Sequence, residues 1–163
     1  TYININNMPI IGELKTLFEG YLHCYGCTSL TALSAPMATS LDCGVCTSLT
    51  ALSAPMASYL DCSSCTSLTT LSAPMATILE CYGCTSLTAL SAPMAAILYC
   101  SGCALTATSI ASILADAVLL PDLSVITIDI SGGTNAAIGT WSAKAVADKD
   151  TIVGASGIVL FNS

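Results

Sequence analysis

Leu41-Asp-Cys43-Gly-Val-Cys46-Thr-Ser-Leu49-Thr-Ala-Leu52-Ser-Ala-Pro55-Met-Ala57 is one copy of a unit written almost five times between Leu22 and Cys103. The cysteines make the register visible. Cys24, Cys43, Cys62, Cys81 and Cys100 form one column, and Cys27, Cys46, Cys65, Cys84 and Cys103 form a second. The step is 19 residues throughout, without insertion, and all ten cysteines of the chain lie in these two columns. A strict period of this length is the signature of a solenoid, in which each repeat buries its apolar face against its neighbours.

Within one copy, Leu60 and Cys62 alternate with Tyr59, Asp61 and Ser63. That alternation predicts a short strand with Leu and Cys inward. Leu68, Leu71 and Ala73 are the inward residues of a second extended segment. Pro74 lacks an amide hydrogen, so that segment ends or bends there. Nineteen residues leave no room for a full helix in each coil. Coils of extended chain stack about 4.8 Å apart. The fold class is therefore mainly β: a β-solenoid of about five 19-residue coils over residues 22–103.

The flanks read as caps, which cover the core and strand edges that a terminal coil exposes. Residues 1–21 are the N-terminal cap, with a short strand over Tyr2–Asn7. One or two helical turns are expected over Gly12–Glu19, where Leu14, Leu17 and Phe18 share a side. Residues 104–163 are an α/β C-terminal capping subdomain. There the spacing of Ile110, Ile113, Leu114, Ala117 and Val118 predicts a helix over Thr108–Leu120, stopped by Pro121. A strand is expected over Leu123–Ile130, a turn over Ser131–Asn135, a short helix over Asp148–Val153 and a last strand over Ile158–Phe161.

The string Cys46-Thr-Ser-Leu49-Thr-Ala-Leu52-Ser-Ala54-Pro55, repeated in the neighbouring coils, resembles the bacterial Treponema-type leucine-rich repeat, whose pattern runs C-x-x-L-x-x-I-x-I-P. The usual unit of that type is a few residues longer, so this chain shortens the convex side. Similar short repeats are found in surface proteins of Bacteroidetes-like bacteria and in proteins of their phages. The tail, with Ser131–Ala137 and then Asp148–Gly157, resembles the module that closes such arrays. The resemblance implies a leucine-rich-repeat-like solenoid on a cell surface, a virion or an extracellular assembly. It names no ligand.

Composition narrows the function classes. The chain is 54% hydrophobic and 8% charged, with a net charge of −7 and only Lys15, Lys144 and Lys149 as basic side chains. Phosphate neutralisation has no donors here, which argues against nucleic acid. No apolar run reaches the ~20 residues that span a bilayer, so no membrane insertion is expected. The chain begins at Thr1 without a Met, as a processed chain or a fragment would.

The cysteine pairs match a zinc-ribbon spacing. Their recurrence in register with Leu and Ala columns assigns them to the repeat instead, and no cofactor or metal is expected. Free Cys behaves as a small buried hydrophobe. A reduced inward ladder is the first reading of the two columns. Disulfides stay open, between stacked cysteines of adjacent coils or between the two cysteines three apart in a turn, because both arrangements bring Cα atoms within bridging distance. No catalytic constellation stands out, since His23 is the single histidine and no pair of carboxylates is implied to face a cleft. The reading is of a protein that is not an enzyme.

Comparison of the copies separates a constant half from a variable half. C-T-S-L-T-A-L-S-A-P-M-A barely changes. The residues beside the cysteines vary: His23, Asp42, Asp61, Glu80, Tyr99 in one column, Tyr25, Gly44, Ser63, Tyr82, Ser101 in the next, and Ser40, Tyr59, Ile78, Ile97 in a third. Framework that repeats while contact residues diversify is how recognition solenoids are built. Tyr is a rigid amphipathic contact residue, and an acidic neighbour can bond sugar hydroxyls or a basic partner. The candidate binding residues are Tyr25, Asp42, Tyr59, Asp61, Glu80, Tyr82 and Tyr99, and the expected partner is a protein or glycan on a surface. Solvent-facing positions free to drift would give a similar pattern. A self-associating structural subunit is the second expectation. A third is ice binding through the stacked Thr31, Thr50, Thr69, Thr88 and Ser34, Ser53, Ser72, Ser91. Met37, Met56, Met75 and Met94 are expected to fill the core or a corner.

Overall fold

The computed structural model describes residues 1–162. Eleven short strands precede the first helix: β1 Tyr2–Asn4, β2 Gly12–Lys15, β3 Gly20–His23, β4 Leu30–Ser34, β5 Ala38–Asp42, β6 Ala51–Ser53, β7 Tyr59–Asp61, β8 Thr70–Ser72, β9 Ile78–Glu80, β10 Ala89–Ser91 and β11 Ile97–Tyr99. Then come α1 Ala107–Ala117, β12 Thr127–Ile130, α2 Ala143–Gly154 and β13 Ile158–Phe161. Up to β11, odd and even strands lie on opposite sides of the coil. The first side is an eight-stranded sheet in the order β1-β3-β5-β7-β9-β11-β12-β13; the second side holds β2-β4-β6 and β8-β10. Every pairing is parallel, and the repeat sets the register, as in Leu41↔Leu60 and Leu60↔Leu79. The chain is a β-solenoid with a 19-residue period.

The inward residues expected from alternation are the ones buried. Leu60, Cys62, Leu68, Leu71 and Ala73 are all buried, as are their counterparts in neighbouring coils except the partly buried Leu52. Two turns shape each coil. Ala57 N–H donates to the Ala54 carbonyl at 3.2 Å, closing a turn with Pro55 and Met56 at its tip. Proline presets φ for the first tip position. Of the two places expected for the methionines, core or corner, the column takes the corner: Met37, Met56, Met75 and Met94 sit at turn tips and are all exposed. The other turn is the Cys-x-x-Cys segment. Its third residue has a positive φ in each coil: Gly26 (72°), Val45 (58°), Ser64 (56°), Gly83 (70°) and Gly102 (72°). A turn of type II requires that sign, which explains the glycine in three of the five copies.

All ten cysteines are buried free thiols. One column is used by the other: Cys46 Sγ donates to the Cys24 carbonyl (3.2 Å), Cys65 to Cys43 (3.3 Å), Cys84 to Cys62 (3.1 Å) and Cys103 to Cys81 (3.1 Å). The ladder thus closes the carbonyl left at each corner by the preceding coil.

The N-terminal segment differs from expectation. Gly12–Glu19 makes no helical turn; it contains β2, which pairs with β4. Short segments with Leu at helical spacing are ambiguous, and here sheet pairing outweighs local periodicity. Residues 2–16 form a further coil in the same register: Tyr2↔Tyr21, Ile3↔Leu22 and Asn4↔His23 are partners, and Thr16 N–H donates to the Ser34 carbonyl. Asn7 takes the positive φ (55°) of its column, and Cys27 Sγ donates to the Ile5 carbonyl as later cysteines do to theirs.

At the other end α1 replaces the strand that would follow β10. Its N-cap is Thr106, whose side chain accepts from Ser109 N–H. Ser109 Oγ in turn bonds both the amide (2.9 Å) and the carbonyl (3.4 Å) of Leu90, so a helix side chain covers the edge of β10. The expected strand over Leu123–Ile130 is β12 preceded by a single 3-10 turn, Leu123–Val125. The expected short helix is longer and begins at Ala143, because Ser142 caps it by accepting from Ala145 N–H. Asn135 is buried and ties the subdomain down. It accepts from Leu105 N–H (2.8 Å) and donates to the Cys100 and Ile130 carbonyls (3.0 Å each).

Candidate functional site

The outward face of the eight-stranded sheet carries two columns that β pairing puts in direct register. One runs Asn4, His23, Asp42, Asp61, Glu80, Tyr99, Asp129; the other runs Tyr2, Tyr21, Ser40, Tyr59, Ile78, Ile97, Thr127. Neighbours within a column sit about 4.8 Å apart. Asp42, Tyr59, Asp61, Glu80 and Tyr99 thus share one face. Tyr25 and Tyr82 occupy the exposed second position of the Cys-x-x-Cys turn that adjoins it. All seven candidate residues lie on one side of the solenoid. The Tyr25 ring lies over Gly44, where an added Cβ would come within 3.1 Å of it.

The polar groups of this face are organised by one another. Tyr59 OH donates to Glu80 Oε1 at 3.2 Å. Burial, and then the negative charges of Glu80 and Asp61, push the Tyr59 phenol above its ordinary value, which keeps it a donor. Tyr21 shifts the same way, through burial first and Asp42 second. His23 Nε2 lies 2.6 Å from Asp42 Oδ2, and Tyr2 OH lies 3.2 Å from His23 Nδ1. In a neutral ring the carboxylate at Nε2 places the proton there, which leaves Nδ1 to accept from Tyr2. Tyr21 stacks on His23, with ring centroids 5.6 Å apart.

Three of the aspartates also have a local task. Asp42 Oδ1 accepts from Gly44 N–H (3.1 Å), Asp61 Oδ1 from Ser63 N–H (2.8 Å) and Asp129 Oδ1 from Ser131 N–H (3.0 Å). This is the turn in which an Asp side chain bonds the backbone two residues on. Their acidity is partly structural. Yet Asp42, Asp61 and Glu80 are successive cross-strand partners, and like charges in that relation destabilise a sheet.

The face extends past the candidate residues at both ends. Tyr2, Tyr21 and His23 extend the face toward the N-terminus, and subtracting one 19-residue period from Tyr21 and Ser40 would have found the two tyrosines. Asp129 extends it at the other end. The 30 residues that separate Asp129 from its partner Tyr99, α1 among them, hide it from any periodic reading.

The opposite face is plainer. The hydroxyls of Thr31 and Thr50 donate at 3.0 Å to the carbonyls of Gly12 and Thr31, and that of Thr88 at 3.3 Å to Thr69. Among the described residues, no three His, Cys, Asp or Glu side chains are placed to hold a metal ion, and no helix is long and apolar enough to cross a membrane. No family model, curated protein or solved structure matches the chain.

Proposed function

We propose that the protein is a non-catalytic recognition module of leucine-rich-repeat type, borne on a cell surface, a virion or an extracellular assembly. It binds a protein or glycan through the outward face of the eight-stranded sheet. The observation that carries this reading is the placement of the variable residues. The tyrosines and carboxylates that differ between copies fall on one face in register, while the constant half forms the other face. Tyr59 is held by Glu80 before any partner arrives. Preorganised tyrosines lose little entropy on binding. The acid column is a standing cost to the sheet that a cationic or hydroxyl-rich partner would offset. Ice binding has less support, because the hydroxyls of Thr31, Thr50 and Thr88 are directed to the solenoid's own carbonyls.

The test is binding to glycan arrays and to intact cells by the protein and by Tyr59→Ala and Tyr82→Ala variants, with Ser53→Ala on the opposite face as control. Each Tyr variant should weaken binding about tenfold or more, as truncation of an aromatic anchor does, and the control should not. Binding unchanged in both Tyr variants would sink the assignment of this face.

A further inference from the structure

The eight-stranded face is uneven along its length. Over β1 to β7 its two outward columns set tyrosines among polar residues. At β9 and β11 they carry an apolar block. Ile78 and Ile97 are cross-strand partners, and beside them Glu80 is the partner of Tyr99. Leu79 and Leu98 are buried, so alternation turns these four side chains outward. Ile78 and Ile97 are half-buried and Tyr99 is exposed. The fold does not require isoleucine here, since the same column holds Ser40 on β5 and Thr127 on β12. Carboxylates stand at both ends of the block. Asp61 and Glu80 are neighbours on β7 and β9, and Asp129 is the partner of Tyr99 on β12. Among the described residues none of the three meets a cationic group.

We propose that the β9–β11–β12 part of this face seats a basic amphipathic helix of a partner protein, a reading that rests on the face being the recognition surface. β9 lies between β7 and β11, and β11 between β9 and β12, so a partner cannot add a strand here. It must bring side chains to a flat surface, and an amphipathic helix presents them as a stripe. The helix lies along the columns, across the strands. From Glu80 to Asp129 is two strand steps, about 9.6 Å. Seven residues of helix rise about 10.5 Å. Cationic residues at i and i+7 therefore reach both carboxylates, while aliphatic residues at i+3 and i+4 cover Ile97 and Tyr99.

The charge of the face selects this occupant. An uncharged partner that covered the block would strip water from Glu80 and Asp129 and give them no counter-charge. A neutral glycan is such a partner. A second copy of the chain is also a poor match. It brings a net charge of −7, and its α1 holds no basic residue. The lysines of its α2 already lie beside aspartates of their own helix.

The probe is a synthetic alanine/glutamine peptide with lysine at i and i+7 and leucine at i+3 and i+4, titrated into the full chain at low and at physiological salt. It should bind in the micromolar range and more weakly as salt rises. Ile78→Ser combined with Ile97→Thr installs residues that the column already carries at Ser40 and Thr127, so the sheet is kept. This pair should raise the dissociation constant about tenfold or more. Glu80→Gln, which keeps an acceptor for Tyr59, should raise it several-fold and flatten the salt dependence. Ser53→Ala on the opposite face should change nothing. A peptide that does not bind, equal binding once both leucines are alanine, or Ile78/Ile97 and Glu80 variants without effect would each overturn the proposal. That failure is separable from failure of the face itself. A silent peptide alongside Tyr59→Ala and Tyr82→Ala variants that lose cell or glycan binding removes this partner and keeps the face. Peptide binding that is lost in the Ile78/Ile97 variant, alongside silent Tyr variants, keeps this seat and removes the tyrosines.

Discussion

Raising the pH of the reduced protein should unfold it along a slope set by its thiols. Cys43, Cys62 and Cys81 have no exposed surface. Their thiols sit well above the ordinary value of 9.0, first through contact with a thiol of a neighbouring coil and then through burial. The sign follows directly. Below the unfolded value both states hold their protons, and the full stability is present. Above it the unfolded chain releases protons that the folded chain keeps, so stability falls as pH rises. Each such proton contributes about 1.36 kcal/mol per pH unit; Cys24, Cys27 and Cys103 shift the same way and Cys46 and Cys84 the opposite way, so the net slope is worth a few protons. A domain with roughly 5–15 kcal/mol of stability is exhausted within a few units of such a slope. The assay is urea denaturation in constant reductant at a series of pH values from about 7.5 to about 10.5, read as free energy against pH. Cys62→Ala should lower the slope by about one proton's worth whatever it does to absolute stability. A slope worth less than one proton would refute the buried reduced ladder, as would fewer than ten titratable thiols in the denatured, unreduced protein.

Two further outcomes test how the coils are turned and closed. Val45 is a β-branched residue at φ 58°, in a column otherwise held by Gly, Ser and Asn. Val45→Gly should therefore stabilise, by about 0.5 kcal/mol once glycine's entropy is set against the relieved backbone. Gly102→Ala should cost about 1–2 kcal/mol through its φ of 72° alone, since an added Cβ there meets nothing closer than 3.5 Å. The two signs, read from urea midpoints, must be opposite. Asn135→Ala leaves the Leu105 amide and the Cys100 and Ile130 carbonyls without their partner in a buried site. The expected loss is about 3 kcal/mol or more, and a loss below about 1 kcal/mol would mean that Asn135 does not hold the cap.

The core was legible because the repeat prints it five times. Leu and Cys at alternate positions could only face one way, and every one of the ten cysteines is buried. What the period could not show lay where its markers lapse. The first coil has Ile3, Ile5 and Met8 at the positions of Leu22, Cys24 and Cys27, so the absence of cysteine concealed a coil whose pairing is regular. Core or corner stays open for the methionines for a different reason. Hydrophobicity points inward, but the residue after proline in a tight turn sits at the tip, and turn geometry decided their exposure. At the C-terminal end, side-chain caps such as Ser142 and Ser109 set where elements begin and stop, and these bonds have no period to read.

The candidate face divides along the same line between what stacking demands and what it leaves free. On the second side, the hydroxyls of Thr31, Thr50 and Thr88 bond the preceding coil, which gives the threonine column a use in the fold. On the first side, Asp42, Asp61 and Asp129 each close a turn, which gives a structural reason for an acid at that position. No such reason covers Tyr99, which takes the same position, or Tyr82, which stands on the turn where Ser63 and Gly44 serve equally well. Tyr59 likewise stands in a column that Ser40 and Ile78 also fill. The tyrosines are therefore the part of the face that folding does not explain. Their truncation separates a recognition surface from a decorated framework more cleanly than removal of any carboxylate.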